Sequence, residues 1–261
     1  MGKLDGKTAL ITGASKGIGE GIARTFVKHG ARVVLAARGQ GVEDMAAQLR
    51  AEGAQAVAVR MDVSDMDSVR AGYEAGVKEF GQIDILVSNA GICKLGDFLT
   101  QSDEDRDAHL DINVKGAWNT CKAVIPGMLE RKWGKIVIMS SVTGDMVADP
   151  GEAAYAMSKA ALVGLTKALA REFAPTINVN AICPGYVLTP MQEAEYTQEM
   201  FDECNKGIPL QRHADPAEVA ALYPQIVTFP LKGAYHHEAV LIRFSFPTQK
   251  TPFRNYGTVF L

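Results

Sequence analysis

The stretch Thr8–Ala9–Leu10–Ile11–Thr12–Gly13–Ala14–Ser15–Lys16–Gly17–Ile18–Gly19 decides the fold. Thr8 to Thr12 is a short apolar run that stops at a glycine, as a buried parallel strand does. From Ile18 to His29 the pattern changes to helical spacing, with Ile18, Ile22, Phe26 and Val27 on one side. A turn between such a strand and such a helix gathers free backbone N–H groups at the positive end of a helix dipole, where a dinucleotide pyrophosphate binds. Gly13 permits the tight turn, Gly17 the approach of a phosphate, and Gly19 the close packing of helix on strand, with Ser15 and Lys16 between them. The spacing is Gly-x-x-x-Gly-x-Gly, not the generic Gly-x-Gly-x-x-Gly. A glycine-rich loop without a ligand is the plain alternative; its place between strand and helix favours binding.

Working outward, the alternation continues. Strands are expected at Arg32–Ala36, Ala56–Val59, Ile83–Val87, Lys135–Met139 and Ile177–Ile182. Helices are expected at Val42–Glu52, Asp65–Phe80, Asp103–Glu130 as one long helix, and from the region of Tyr155 to Phe173. Six βα units without a linker imply an α/β fold: a doubly wound, Rossmann-like parallel sheet in three layers, α/β/α, over residues 1–221. At 261 residues, 47% hydrophobic and 22% charged, the chain suits one such domain. A net charge of −3 offers no electrostatic footprint for nucleic acid or an anionic membrane. No apolar run approaches a membrane span, and Met1–Gly2–Lys3–Leu4–Asp5 lacks a signal-peptide core, so the cytoplasm is the expected location. Cys93, Cys121, Cys183 and Cys204 are scattered and read as reduced core or cleft residues.

Ligands of a doubly wound sheet collect at the carboxyl ends of its strands. After the second strand no acid appears until Glu43, where a ribose 2′-hydroxyl would need one. Arg38 instead offers a partner for a 2′-phosphate, reinforced by Lys16; both are otherwise surface cations. Asp62 could accept from an adenine amino group, with Val63 beside the ring, or could cap a helix. Ser88–Asn89–Ala90–Gly91 provides small residues against which a cofactor can lie. Asn113 sits between Ile112 and Val114, a polar residue in an apolar setting that suits a buried hydrogen-bonding role. Ser140–Ser141 and Pro184–Gly185–Tyr186–Val187–Leu188–Thr189 close the fifth and sixth strands. Tyr155 and Lys159 lie one helical turn apart, so the ammonium is expected beside the phenol, lowering its pKa from about 10 toward neutrality.

With these residues in place, the chain resembles the short-chain dehydrogenase/reductase family. The resemblance rests on Thr12–Gly13-x-x-x-Gly17–Ile18–Gly19, Asn89–Ala90–Gly91, Asn113, Ser141, Tyr155-x-x-x-Lys159 and Pro184–Gly185, in family order from about Lys7 to Glu218. It implies hydride transfer between nicotinamide and a carbonyl or alcohol carbon. Tyr155 would be general acid in reduction and general base in oxidation, and Ser141 would stabilise the developing oxyanion. Lys159 would depress the phenol pKa and hold the ribose, Asn113 would position a relay water, and Val187 and Thr189 would hold the nicotinamide amide. Together with Arg38 and Lys16 this points to NADP, with NADPH preferred over NADH. Cys93, Leu95, Met146, Val147, Tyr186 and Met191 would line a largely apolar pocket for a small or medium aldehyde or ketone; Met146 and Met191 could equally be core filler. A homodimer or homotetramer is implied. A non-catalytic NADP(H) sensor is the alternative from another class, and an epimerase or dehydratase would need a further acid or base for which the sequence shows no candidate.

After about Ala221 the resemblance stops. Pro224 is expected to break the helix begun after Asp215–Pro216, and Val240–Phe244 is strand-like without the flanks of a last strand. Residues 222–261 therefore read as an atypical tail, of the kind a change of reading frame produces, whose loss of a final strand would compromise the sheet. His236–His237–Glu238 makes a poor metal site, because adjacent side chains share no helix face and alternate on a strand.

Overall fold

The computed structural model describes residues 2–228 and the backbone of residues 241–244. Among these residues, seven strands form one parallel sheet in the order β3-β2-β1-β4-β5-β6-β7. They are β1 (Thr8–Thr12), β2 (Arg32–Ala37), β3 (Ala56–Arg60), β4 (Ile85–Ser88), β5 (Gly134–Met139), β6 (Ile177–Pro184) and β7 (Leu241–Phe244). The helices between them are α1 (Gly17–Lys28), α2 (Gly41–Ala51), α3 (Met66–Phe80), α4 (Asp103–His109), α5 (Gly116–Glu130) and α6 (Ala153–Phe173). After β6 come α7 (Pro190–Glu195), α8 (Gln198–Gly207), α9 (Pro216–Ala220) and α10 (Tyr223–Thr228).

The period-2 alternation of the strands sorts their side chains into two cores. Ala9, Ile11, Val33, Leu35, Ile85 and Val87 pack with Ile22, Phe26, Met45 and Leu49 on one face. Leu10, Val34, Leu86, Ile136 and Ile138 pack with Val69, Val124 and Leu162 on the other. Both faces of β1 to β6 are covered, which is why these strands read as continuous apolar runs. The chain order reverses direction between β3 and β4, so β1 and β4 become neighbours and a crevice opens beyond their carboxyl ends.

Three expectations change. The long helix over Asp103–Glu130 is broken by a π-helical segment, Leu110–Lys115, between α4 and α5. Side-chain spacing hardly separates one wide turn from a regular one. The packing does not end at residue 221: Tyr223 is fully buried, edge-on to Phe26 at 6.2 Å between ring centroids. The sheet also keeps a last strand, because β7 pairs in parallel with β6 in the register Ala181↔Leu241 to Pro184↔Phe244. Pro224 does mark a break: α9 ends at Ala220, and Pro224 stands in the first turn of α10, where a missing N–H costs nothing. His236–His237–Glu238 lies outside the described residues. Among the described residues no helix is long and apolar enough to cross a membrane.

Candidate active site

The glycine turn is held to its neighbour by one hydroxyl. Thr12 Oγ1, at the end of β1, accepts from the backbone N–H groups of both Asn89 and Ala90 at 3.0 Å and donates to Val87 O at 3.4 Å. Asn89 Nδ2 returns a hydrogen bond to Thr12 O at 2.9 Å. Gly13 and Gly17 have φ of +65° and +60°, a conformation that L side chains rarely adopt. A Cβ at Gly19 would lie 2.2 Å from Gly13 O, so no other residue fits there without moving the turn. Lys16 precedes α1 in extended conformation and no side chain caps the helix, which leaves its first-turn amides for an anion. A side-chain-free cradle facing an uncapped helix end fits the pyrophosphate of a dinucleotide.

From this turn a cleft of about 290 Å³ runs to the start of α6. Of the expected cofactor residues, Gly13, Ser15, Lys16, Gly17, Ile18, Gly19, Asn89, Ala90, Gly91, Pro184, Gly185, Val187 and Thr189 line it. Arg38 and Asp62 lie off this cleft, exposed and half-buried respectively. The Asp62 carboxylate accepts from Ser64 N at 3.0 Å and Ser64 Oγ at 2.7 Å, which hold its pKa down, with Arg38 contributing from farther away. The helix cap expected as its alternative is Asp65 instead. The Val63 side chain is buried against Gly116, and its carbonyl accepts from Asn119 Nδ2 at 2.9 Å.

The reacting end is built by β5, the π segment and α6. Ser140 Oγ is spent on Lys159 O at 2.8 Å, fastening α6 to the end of β5. Ser141 Oγ accepts from Thr143 N at 3.1 Å and lies close enough to the Tyr155 phenol to favour its phenolate form. Lys159 Nζ donates to Met139 O at 3.0 Å and stands 5.5 Å from the centroid of the Tyr155 ring. Asn113, fully buried, clamps Ile92 from both sides: Oδ1 accepts from Ile92 N at 2.8 Å and Nδ2 donates to Ile92 O at 3.0 Å. Its Nδ2 also donates to Ser158 Oγ at 2.9 Å, which ties the π segment to α6 between the two catalytic candidates. His109 lies edge-on to Tyr155 at 6.3 Å between ring centroids.

The electrostatics overturn one expectation. Burial pushes the Tyr155 phenol above its ordinary value, Cys93 and Glu152 add to that, and the nearby Ser141 hydroxyl opposes it. Lys159 does not dominate, because its ammonium faces Met139 O and because burial pulls its own pKa down to about 8. Cys93 is pushed up to about 12, chiefly by burial, so its thiol is no nucleophile at neutral pH.

The substrate end differs from the apolar lining expected of it. Cys93, Val147, Tyr186 and Met191 line the cleft, whereas Leu95 and Met146 do not; Met146 is 48% exposed. Asp149, Glu152, Glu195, Gln192 and Tyr196 join them. Glu152 is the further acid that sequence reasoning missed. It lies three residues before Tyr155 at the N-cap of α6, a place where an acid reads as an ordinary helix-dipole partner.

Fold and site together define an α/β oxidoreductase built around a dinucleotide cradle and a tyrosine–lysine pair. The family model for short chain dehydrogenase matches residues 7–200. The chain belongs to the short-chain dehydrogenase/reductase family, whose members work with a nicotinamide cofactor. It is 57% identical over 230 residues to Oxidoreductase UcpA of Salmonella typhimurium, covering 85% of this chain and 88% of that protein. It is 36% identical over 217 residues to 3-oxoacyl-acyl-carrier-protein reductase FabG of Staphylococcus aureus, covering 82% and 87%. A crystal structure of an actinorhodin polyketide ketoreductase variant with NADPH superposes with a TM-score of 0.84 at 36% identity, covering 93% of this chain and 97% of that one.

Proposed function

We propose that the chain is an NADP(H)-dependent reductase of small or medium aldehydes or ketones, also able to oxidise the matching alcohols. One observation carries the reading: the Tyr155 phenol and Ser141 line the same cleft as the glycine cradle, with Lys159 one turn further along α6. When bound, the cofactor supplies the hydride that reaches the carbonyl carbon. Tyr155 donates the proton to the carbonyl oxygen, and its raised pKa keeps that proton in place at neutral pH. Ser141 Oγ hydrogen-bonds the same oxygen as charge develops on it. Lys159, charged below about pH 8, holds the ribose hydroxyls. One lone pair of Asn113 Oδ1 is taken by Ile92 N; the second holds a water on the way to Lys159.

Preference for the 2′-phosphate rests on Arg38, which is exposed and makes no ion pair within 4 Å among the described residues, and on exposed Lys16. The NADPH-bound ketoreductase is in keeping with it. We take the protein to act in the cytoplasm as a homodimer or homotetramer; Trp118 and Leu129 on α5 and Met157 on α6 are exposed apolar side chains that such assembly would cover. Light scattering would measure the assembly. Residues 222–261 we regard as departing from the family pattern through a frame change, which resequencing the coding DNA would test. The function is tested by a carbonyl screen with NADPH and NADH beside Tyr155→Phe. Turnover should collapse in the variant while NADPH still binds; near-normal rates would reject the role of Tyr155.

A further inference from the structure

The far wall of the cleft is made of acceptors without cations. Asp149 accepts from Tyr186 OH at 3.0 Å, Glu195 from Leu95 N at 3.2 Å, and Glu152 from Asp149 N at 3.2 Å and Thr143 Oγ1 at 3.3 Å. Glu152 is only 6% exposed. Each carboxylate is thus fixed by neutral donors, and no salt bridge to any of the three occurs among the described residues. The cations lining the cleft are Lys16, in the glycine turn, and Lys159, engaged with Met139 O. Gln192 adds an acceptor of another kind: its Oε1 is buried with no hydrogen-bond partner among the described residues.

We infer that the substrate is a neutral, polyhydroxylated carbonyl compound, held through its hydroxyl groups by Asp149, Glu152, Glu195 and Gln192. The inference rests on the carbonyl-reductase reading, since it names the substrate class of that same site. An ionised carboxylate only accepts and keeps several lone-pair sites, so two hydrogen bonds do not exhaust it. An alkyl ketone would cover these acceptors and leave them unpaired, which is how a polar site rejects the analogue lacking a hydroxyl. An organic acid, a phosphate ester or an anionic acyl carrier would bring like charge to three uncompensated carboxylates. An ammonium would be attracted, but it only donates. The wall also contains the Tyr196 phenol, kept protonated by burial, and hydroxyl groups can both give to the acids and take from that phenol, whereas the Tyr186 proton is spent on Asp149.

The test uses the full chain with NADPH and four short ketones of similar chain length: erythrulose, 2-butanone, acetoacetate and 1-amino-2-propanone. Erythrulose should exceed butanone by at least about tenfold in kcat/KM, and acetoacetate should be the poorest. That erythrulose-to-butanone ratio should fall about tenfold in a Glu152→Gln, Glu195→Gln double variant, with Glu195→Gln alone giving a partial fall. Butanone matching erythrulose, acetoacetate or the amine leading, or a ratio that survives the double variant would each overturn the inference. Calorimetric titration of erythritol into the NADPH-saturated protein separates this from the parent reading. If no ketone is reduced yet erythritol binds and the double variant loses it, the reductase reading fails and the hydroxyl-binding wall stands. If erythritol does not bind and no ketone is reduced, both fall.

Discussion

Replacing Thr12 by Val keeps the shape of the side chain and removes only its hydroxyl, so the effect can be worked from three hydrogen bonds. Thr12 Oγ1 accepts from Asn89 N and Ala90 N at 3.0 Å each, and its proton goes to Val87 O at 3.4 Å. The 3.4 Å bond is long enough to contribute little. The two amides lose their acceptor and lie half-buried at the crevice, where each costs about 1 kcal/mol, the low end for an unsatisfied group because water can partly replace it. The sum is about 2 kcal/mol, and with about 2–4 °C per kcal/mol in a large domain the melting temperature should drop by about 4–8 °C. Asn89 Nδ2 still reaches Thr12 O at 2.9 Å, so the strand ends should stay together but loosen. Because Gly13 follows directly, NADPH affinity should weaken about tenfold, equivalent to 1.4 kcal/mol. Differential scanning calorimetry and fluorescence titration of NADPH measure the two quantities, and Thr12→Ser, which retains the acceptor, should restore most of both. A Thr12→Val protein with unchanged melting temperature and unchanged NADPH affinity would refute the claim that one hydroxyl couples β1, β4 and the cradle.

Four further outcomes follow from the same geometry. Tyr155→Phe should lose about 10²–10⁴-fold in kcat while NADPH affinity, read by fluorescence, stays within about threefold. Gly19→Ala puts a Cβ 2.2 Å from Gly13 O, so NADPH binding should be lost by titration even where circular dichroism shows a folded protein. Because burial pulls Lys159 down to about 8, its ammonium is present below that pH and lost above it; kcat/KM for NADPH should decline as pH rises through about 8, and Lys159→Met should abolish that limb together with most of the activity. Arg38→Ala should raise the KM for NADPH about tenfold and leave that for NADH nearly unchanged, in steady-state assays with either cofactor.

The frame of this protein was readable from one sequence because buried parallel strands leave unbroken apolar runs, such as Thr8–Thr12, and glycines leave a turn that nothing else can form. The strand edges moved by a residue or two, as β3 did in reaching Arg60. Tyr155 and Lys159 were legible because residues four apart meet on any helix. The direction of the net shift on Tyr155 was not, since it depends on depth: burial of the phenol is the largest influence on it, and the Lys159 ammonium turns toward Met139 O. The acceptor wall was illegible for another reason. Asp149 and Glu152 precede α6, whereas Gln192 and Glu195 belong to α7, about forty residues later, and no spacing links them.

The π-helical segment explains how the cleft stays open on one side and rigid on the other. Loops after β3 and β4 expose backbone groups that a buried crevice cannot leave unpaired. In the wide turn Leu110–Lys115, Asn113 meets the loop after β4 and pairs with Ile92 N and Ile92 O much as a neighbouring strand would. Gly116 packs against Val63, and Asn119 Nδ2, one turn further along, takes Val63 O at 2.9 Å in the loop after β3. The π segment and α5 thus meet Ile92 N and Ile92 O in the loop after β4 and Val63 O in the loop after β3. A regular helix through the same residues would rotate Asn113 relative to Asn119. The face toward the cleft then needs no side chains for support, and there a Cβ at Gly91 would already lie 3.1 Å from Asn113 Oδ1 and 3.5 Å from Lys159 Nζ. A side chain at Gly91 would thus crowd both Asn113 and Lys159, so the glycine keeps the two polar groups clear at the edge of the cleft.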